Sequence, residues 1–416
     1  MQKLHRLCCA LVLFVSVGAL AQPSPMTWDE VRHRFEQNNP TLLAGQLNID
    51  ESRAQEMTAN LRPNPSLSLT ADQFQLPGGA SHSCCGDLLT VAEFSYLHER
   101  EHKRELRLES ARKGTAIAVS TQADLERTLI FALRSAFVST LQAKAVLQLA
   151  KDNLAYYDHV LDISRTRYKA GDIAQIDLDR LELQRVQYES DVQTAEVNLR
   201  TSKITLLTLL NDRTPVDKYD VAGSFDFSDQ LLPQDEFRKM ALESRPDLKA
   251  ALQSVDKAQT DHKLAVANGS WDPTFGVDAG RNPPIDQYVG VSVSIPLRIF
   301  DHNQGEKLRT QLDITRNQRL HDAAEAQVFS DVDSGYATLD STVKLLVPYK
   351  ARYLQQSVRV RDTIFFSYRN GGASLLDFLN AESDYRTVQL NYVNLVGSYL
   401  TAAAQLNLAV GREVIQ

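Results

Sequence analysis

The sequence predicts an α+β fold in which very long helical hairpins carry four short strands. Three observations predict it: the chain repeats itself once, it has no proline between Pro77 and Pro215, and it contains short runs of alternating apolar and small residues. A proline-free stretch of that length permits an uninterrupted helix. The net charge of −7 offers no basic surface for nucleic acid, so we expect no nucleic-acid partner.

Residues 1–21 are predicted to be a signal peptide. Lys3 and Arg6 precede an apolar run over residues 7–20, and Ala21 closes a small-x-small cleavage site. We therefore expect export, without a lipid anchor because no cysteine stands directly after that site. We expect no later stretch with the roughly 20 apolar residues that a membrane-spanning helix requires.

The mature chain contains one internal repeat. Residues 27–55 resemble residues 233–260, and a turn of the form Tyr-x-x-Gly-x-x-x-x-x-Asp occurs twice. The six residues of the two turns are Tyr168, Gly171, Asp177, Tyr368, Gly371 and Asp377. Each copy predicts the same order: a helix, two short strands, a very long helix, a glycine turn and a second long helix.

The repeat sets the predicted boundaries. In the first repeat, residues 22–211, the strand hairpin, long helix and returning helix are expected at about 66–96, 97–168 and 174–210. In the second repeat, residues 234–416, the same parts are expected at about 274–296, 299–368 and 374–410, and residues 212–233 connect the repeats. A long helix of this kind would reach on the order of 100 Å. Pro348 is expected to kink the second one.

The returning helices carry an apolar stripe whose members alternate in spacing between four and three. The stripe of the first repeat is Tyr188, Val192, Ala195, Leu199, Ser202, Leu206 and Leu209. That of the second repeat is Val388, Tyr392, Leu395, Tyr399, Ala402, Leu406 and Ala409. This spacing is typical of knobs-into-holes packing between supercoiled helices. A plain antiparallel coiled coil is the simplest interpretation, and the strands argue against it.

The strands have one apolar face. Residues 288–296 read YVGVSVSIP, so Val289, Val291 and Val293 point one way while glycine and serines point the other. Strict alternation predicts a half-apolar strand. Residues 274–279 alternate likewise, and residues 66–76 and 88–96 do so less regularly. Strands of this length with one apolar face suit a transmembrane barrel.

Four strands per chain are too few to close such a barrel. Unpaired strand edges cannot face lipid, so several copies must complete it. Two copies give eight strands, a number whose interior is filled by side chains. Three copies give twelve, which leaves room for a passage. We therefore expect a homotrimer around a twelve-stranded transmembrane β-barrel.

On these residues the chain resembles the TolC-type outer-membrane efflux family over essentially the whole mature sequence. The two repeats, each with a strand hairpin between long helices, and the two tyrosine-glycine-aspartate turns follow that family's pattern. Lys103 and Arg104, which open the first long helix, resemble the heavy-metal efflux branch. That branch commonly has glycines just before the pair, where this chain has Glu101 and His102.

The resemblance implies an exit duct in the Gram-negative outer membrane. The barrel would continue into a long periplasmic α-helical barrel, with residues 212–233 as an equatorial belt. A periplasmic adaptor and an RND-type or ABC-type inner-membrane pump would be its partners, and no cofactor is implied. The residues expected at the periplasmic tip and at the adaptor are Tyr168, Gly171, Tyr368, Gly371 and Gly372. Metal ions, drugs and polypeptides all stay open as the transported substrate.

The resemblance also assigns a periplasmic gate to Asp377, with Asp177 as its outer equivalent. Three copies of Asp377 around one axis would repel each other and concentrate cations. Asn380 stands where relatives often have a second acidic residue. The alternative for Asp377 is a purely structural role at a helix N-terminus, where acidic residues are favourable.

Two further patterns suggest other chemistry. His82, Cys84 and Cys85 share one loop and are candidates for a surface metal site, while adjacent cysteines cannot staple a core. Residues 98–102 read HEREH, which on a helix would place two imidazoles on one face, with Glu99 as the base of a secreted zinc protease. Its charged flanks and its absence from the second repeat argue against that enzyme. A periplasmic adaptor, which also uses long helical hairpins, is the remaining alternative.

Overall fold

The computed structural model describes residues 25–73, 88–282 and 285–415. The predicted signal peptide and the loop with His82, Cys84 and Cys85 lie outside the described residues. The elements of the first half are α1 (Trp28–Asn38), α2 (Pro40–Ala59), β1 (Ser66–Asp72), β2 (Leu89–Leu97), α3 (Lys103–Ala170) and α4 (Gln175–Leu209). Those of the second half are α5 (Gln234–Ser244), α6 (Pro246–Asn268), β3 (Thr274–Asn282), β4 (Ile285–Ser294), α7 (Gln304–Pro348), α8 (Leu354–Arg369) and α9 (Leu375–Val410).

Each half opens with two helices where the sequence predicts one. The breaks fall before Pro40 and Pro246, each the first residue of its helix. A proline there cannot donate a backbone hydrogen bond to the preceding turn, so the earlier helix ends. Asn39 caps α2 by accepting from the amide of Leu42 at 3.0 Å, and its side-chain nitrogen donates to the carbonyl of Leu209 at 2.9 Å.

The long helices begin later than the sequence predicts. α3 starts at Lys103 and not at residue 97, and α7 starts at Gln304 and not at residue 299. The preceding residues His102 and Asn303 are in the left-handed region, with φ of 55° and 61°. A residue in that conformation cannot continue a right-handed helix. Residues 98–102 are therefore a non-helical link between β2 and α3.

The two long helices differ at their centres. α3 runs unbroken for 68 residues, on the order of 100 Å. Its counterpart stops at Pro348, where the sequence predicts a kink, and continues as α8 after a π-helical turn over Tyr349–Tyr353. Proline lacks the amide donor and its ring crowds the carbonyl one turn earlier, so a wider turn relieves both effects.

One stretch of α3 is more apolar than the sequence analysis allows. An 18-residue window within Lys103–Ala170 has the length and composition of a membrane span, and 39% of that window is buried inside the protein. α3 packs on several neighbours at once through its buried Leu133, Phe137 and Leu141, so part of its apolar surface serves helix packing. The expectation that no such stretch exists is wrong.

The four strands form one antiparallel sheet in the order β1-β2-β3-β4. The central pair joins the two halves of the chain, with Phe94 opposite Val277 and Ala92 opposite Ala279. β1 and β4 each have a neighbour on one side only within the described chain. The sheet is open at both edges.

The two faces of the sheet differ in chemistry. One face carries exposed apolar side chains, and Val291 at 84% exposure is the extreme case. The others are Leu67, Leu69, Phe94, Phe275, Val277, Val289 and Val293. The opposite face carries glycine, serine and acidic residues, with Gly276 opposite Ser292 and Gly290 opposite Asp278. An apolar surface of this extent in contact with water would be unfavourable.

A belt crosses the helices near their middle. The connector contains a short 3₁₀ turn, Val216–Lys218, and Val221 pairs in parallel with Met26. At the other end of the chain, the side chain of Asn407 donates to the carbonyl of Ile415 at 2.6 Å. Val414 and Ile415 line one cavity with Ser224 and Leu231 of the connector. Both described ends of the chain therefore lie beside the connector.

A buried ion pair holds the junction between strands and helices. The ammonium of Lys103, whose side chain is 4% exposed, donates to Asp272 at 2.6 Å and to the carbonyl of Ser270 at 2.7 Å. Arg100 lies 4.2 Å from the ring centre of Trp271 beside it. These contacts fix the start of α3 against the segment before β3, and so tie the first half to the second.

Asp272→Asn should destabilise the protein strongly, because it leaves the buried ammonium of Lys103 without its counter-charge. Breaking a buried pair from one side costs about 3 to 5 kcal/mol. Thermal unfolding in detergent, followed by circular dichroism, measures the loss. Asp50→Asn is the matched control, since the Arg53–Asp50 pair is exposed and such pairs contribute little. Equal melting temperatures for the two variants would show that the junction does not depend on this pair.

Candidate functional site at the two hairpin turns

Glycines build the two turns in the same way. α3 ends at Gly171 with φ of 85°, and α8 is followed by Gly371 with φ of 78°. The amides of Gly171 and Asp172 donate to the carbonyls of Tyr168 and Arg167, both at 2.9 Å. Crossed bonds of this type satisfy the last carbonyls of a helix and require a left-handed residue, which glycine adopts without a side-chain clash.

The two turn tyrosines have different surroundings. Tyr168 is 38% exposed, whereas Tyr368 is 7% exposed and stacks on Phe378 with ring centres 5.4 Å apart. Arg167 of the first turn lies over the ring of Tyr368 at 5.3 Å and donates to its carbonyl at 3.3 Å. The two turns are thus in contact with each other, and the tyrosine of the second turn is the buried one.

The carboxylate of Asp377 takes part in a helix cap. Its Oδ2 accepts from the amide of Ser374 at 3.0 Å and from the Ser374 hydroxyl at 2.7 Å, while its own amide donates back to that hydroxyl at 3.1 Å. This is a capping box. The hydrogen bonds from Ser374 lower the pKa of Asp377, so it is a carboxylate at neutral pH. The side chain stays exposed, and the described residues give it no cationic partner.

Asp177 occupies the corresponding place in the first hairpin. It lies in the first turn of α4 and is half-buried, and its side chain has no hydrogen-bond partner among the described residues. Ala174 caps this helix where Ser374 caps α9, so no box forms. Asn380, one turn after Asp377, is exposed. The two candidate gate carboxylates, Asp177 and Asp377, therefore lie in the first turns of corresponding helices, and only Asp377 is hydrogen-bonded to its helix cap.

Sequence analysis missed a buried carboxylate close to these turns. Glu382 on α9 is 3% exposed, and its Oε1 has no hydrogen-bond partner in the described chain. The nearest cation is Arg361, whose Nε lies 3.9 Å from that oxygen. Burial raises the pKa of Glu382 from its usual 4.5 to about 7, and Arg361 and Arg386 only partly oppose this shift.

Arginines next to Glu382 hold the two hairpins together. Arg361 lies 4.3 Å from the ring centre of Tyr156 on α3. Arg386 lies 4.3 Å from that of Tyr188 on α4 and also pairs with Asp191 there. Such contacts combine electrostatic attraction with buried ring area. The one sequence signal for this cluster is that Glu382 follows the core residue Phe378 by four positions, and so shares its helix face.

The HEREH segment is not built as a metal site. Residues 98–102 are not helical, since Glu101 and His102 are both left-handed. Glu99 pairs with Arg107, whose Nη2 donates to Glu99 Oε2 at 3.0 Å. Across the described residues, no group of three or more His, Cys, Asp or Glu side chains could hold a metal ion. The geometry expected of the zinc protease is therefore contradicted.

Comparison with known proteins decides the family. The family described as outer membrane efflux protein matches residues 31–212 and 237–412. The chain belongs to the outer membrane efflux protein family. It is similar to the cobalt-zinc-cadmium resistance protein CzcC of Cupriavidus metallidurans, at 21% identity over 93% of this chain and 90% of that protein. It is also similar to the pyoverdine export outer membrane protein OpmQ of Pseudomonas aeruginosa, at 23% identity over 74% of this chain and 66% of that protein.

Solved structures of the family share the fold. The channel CusC superposes with a TM-score of 0.79 at 16% identity, covering 92% of both chains. The open-state outer membrane channel MtrE of Neisseria gonorrhoeae gives a TM-score of 0.74 at 17% identity, covering 93% of this chain and 89% of that one. VceC of Vibrio cholerae gives 0.76 at 14% identity, covering 92% and 96%.

Membership in the outer membrane efflux family settles two alternatives. The family consists of outer-membrane channel proteins and not of enzymes, so the zinc protease hypothesis is wrong. The adaptor hypothesis is wrong for the same reason, because the match covers both halves of the chain with an outer-membrane component. The resemblance to the TolC-type family is confirmed, and the outer membrane is the location.

Glu382→Gln should remove a pH dependence of stability. The folded-state pKa of Glu382, about 7, lies above its usual 4.5, so the folded state prefers the protonated acid. Stability is fully present below 4.5 and falls as pH rises through about 7, by on the order of 3 kcal/mol. Glutamine cannot ionise, so the variant should melt higher than the native protein at pH 8 and equally at about pH 4.

Melting temperatures in detergent across that pH range measure the effect. Glu182→Gln is the control, because Glu182 is an exposed member of the Arg165–Glu182 pair and should leave the pH profile of melting unchanged. Parallel profiles for Glu382→Gln and the native protein would contradict the assignment.

Proposed function

We propose that three copies of this chain assemble into an exit duct, which passes substrate from an inner-membrane pump and a periplasmic adaptor to the exterior. The observation that carries the proposal is the open four-stranded sheet, with its exposed apolar face and two unpaired edges. Backbone groups at such edges have no partner in a bilayer. A barrel closed by several copies supplies those partners.

The strand order supports closure between copies. Strands alternate in direction across the sheet, so β1 and β4 run antiparallel to each other. β4 of one copy can therefore pair with β1 of the next in the same antiparallel manner as every other pair. Three copies of a four-stranded sheet give about twelve strands, a barrel wide enough for a passage. The valine-rich face would contact lipid, and the face with glycine and serine would line the passage.

The helices support a duct that extends far from the membrane. α3 begins next to the sheet and ends at the Gly171 turn, so the turns lie on the order of 100 Å from the strands. The second hairpin repeats this arrangement through α7, α8 and α9. We infer that the internal repeat exists for this reason: each copy brings two hairpins to the far end, and a trimer surrounds the entrance with six.

The gate and the adaptor contact belong to the same proposal. The carboxylate of Asp377 is exposed at the start of α9, and Asp177 lies at the matching start of α4. Around a three-fold axis, exposed carboxylates would concentrate cations at the entrance. The helix cap made by Asp377 fixes its position and leaves its charge in place. Adjacent turn surfaces, including Tyr168 and Gly372, would contact the adaptor.

The duct does not by itself define its cargo. The relatives' names refer to cobalt, zinc and cadmium resistance in one case and to pyoverdine export in another. Two different cargoes are thus named among relatives of one fold. The pump, of RND or ABC type, is where we place the choice of substrate.

Val291→Arg should prevent assembly, because it puts a charge at the middle of the lipid-facing side of β4. An arginine near the bilayer midplane costs about 2 to 4 kcal/mol in a membrane barrel. Ser292→Arg is the matched control, since the next residue faces the opposite side of the sheet. Light scattering of the purified protein in detergent should give three copies for the native chain and the control, and fewer for Val291→Arg. A monomer that stays soluble without detergent would refute the duct.

Asp377→Asn should reduce cation selectivity while retaining the capping box, because the side-chain oxygen of asparagine can still accept from the amide of Ser374. In planar bilayers we expect the ratio of cation to anion permeability to fall by about twofold or more as the entrance loses one charge per copy. Asp235→Asn is the control, since that exposed carboxylate is on α5, away from the turns. An unchanged ratio for Asp377→Asn would leave Asp377 with the capping role alone.

A further inference from the structure

A cavity lies beside α1 at the middle of α3, away from the turns and the strands. Its volume is about 290 Å³, and it opens between α1, the middle of α3 and the end of α9. Trp28, Ile130 and Phe131 supply apolar wall, and Arg134 enters it from α3. All of its lining residues come from one chain.

Arg134 differs from the other arginines around the cavity. Its guanidinium lies 4.5 Å from the ring centre of Trp28. It forms no ion pair or hydrogen bond with any described residue. Burial lowers the pKa of Arg134, and the more distant charges of Glu413 and Asp29 oppose that shift only in part. A half-buried cation without a counter-charge is unfavourable, so this position is poised to accept an anion.

The neighbouring arginines already have partners. Arg127 pairs with Asp124 at 2.5 Å and lies 3.7 Å from Asp247. Arg32 pairs with Glu36 at 2.9 Å and with Glu413 at 3.6 Å.

Two further lining residues have no described partner. Arg412 is one, and the carboxylate of Glu126 is the other. Of the two unpartnered cations, Arg134 is half-buried and Arg412 is exposed. Arg134 is therefore the cation that an anion in the cavity would bind.

We propose that this cavity binds a small apolar organic anion, with its acidic group on the guanidinium of Arg134 and its body against Trp28 and Phe131. A guanidinium offers two parallel donors that match a carboxylate or a similar oxyanion. An apolar wall with one convergent charged group is the usual composition of a small-molecule site. A volume of about 290 Å³ limits the ligand to roughly the size of one aromatic ring with a short side chain.

Within the described residues, the second half has no matching site. Counted from the matching left-handed caps His102 and Asn303, the position of Arg134 in the second half is held by Gly335. Gly335 packs against Leu406 of α9, where an added Cβ would meet side-chain and backbone atoms at 3.5 Å. The second half therefore fills this place with helix packing, and the first half leaves it open with a charge inside.

The test uses three ligands that share one body and differ in charge: 3-phenylpropionate, 3-phenylpropanol and 3-phenylpropylammonium. Only two tryptophans occur in the chain, so a Trp271→Phe protein reports on Trp28 alone by fluorescence. In non-ionic detergent we expect the fluorescence of Trp28 to change saturably as 3-phenylpropionate is added. The alcohol and the ammonium should bind at least tenfold more weakly. Inorganic phosphate should not compete, because it lacks the apolar body.

Arg134→Gln should weaken binding of 3-phenylpropionate at least tenfold, and Arg134→Lys should fall between that variant and the parent. Arg316→Gln is the control, since Arg316 is exposed elsewhere on α7. The melting temperature of each variant shows whether it folds, and the lysine variant carries the test if the glutamine variant does not. Equal binding of the three ligands, no saturable change with the anion, or native affinity in Arg134→Gln would each overturn the proposal.

Discussion

The structure depends on a sheet that one chain cannot close. Four antiparallel strands expose valines and phenylalanines on one face and leave backbone donors and acceptors free at β1 and β4. In water the exposed apolar face is unfavourable, and in lipid the unpaired edges of β1 and β4 are unfavourable. Both problems would disappear together in the closed barrel proposed above, and the even strand number would let neighbouring copies join without a change of pairing. In that assembly the long helices that start beside the sheet would follow its geometry, so the proposed duct and the repeat would have one cause.

Features governed by local chemistry were predictable from the sequence. The turns at Gly171 and Gly371 follow from left-handed helix ends, and the alternation around Val291 follows from strand geometry. The stripe through Tyr188 and Tyr399 marks the buried side of the returning helices. In each case the period or the conformation belongs to a few neighbouring residues, so no distant partner had to be known.

What the sequence did not predict depends on partners far along the chain. α3 begins at Lys103 after the left-handed His102. The ammonium of Lys103 binds Asp272 in the other half, and no local signal marks that contact. The apolar window of α3 serves several neighbouring helices, and a single-helix pattern does not contain that information. Glutamate is usually a surface residue, and Glu382 is buried because the two hairpins meet around it. The family resemblance implies the gate role of Asp377, whereas its hydrogen bonds to the helix cap are visible only in the structure.

The pairing of β2 with β3 has a consequence for biogenesis. Leu97 and Thr274 face each other across the middle of the sheet, although nearly half of the chain separates them. With the export that the predicted signal peptide implies, the first strand hairpin would emerge long before its partner and carry exposed apolar side chains in the meantime. Contacts so distant in sequence form slowly and leave aggregation-prone intermediates. The order in which these strands are synthesised therefore favours a chaperone that holds the first hairpin until β3 and β4 have followed.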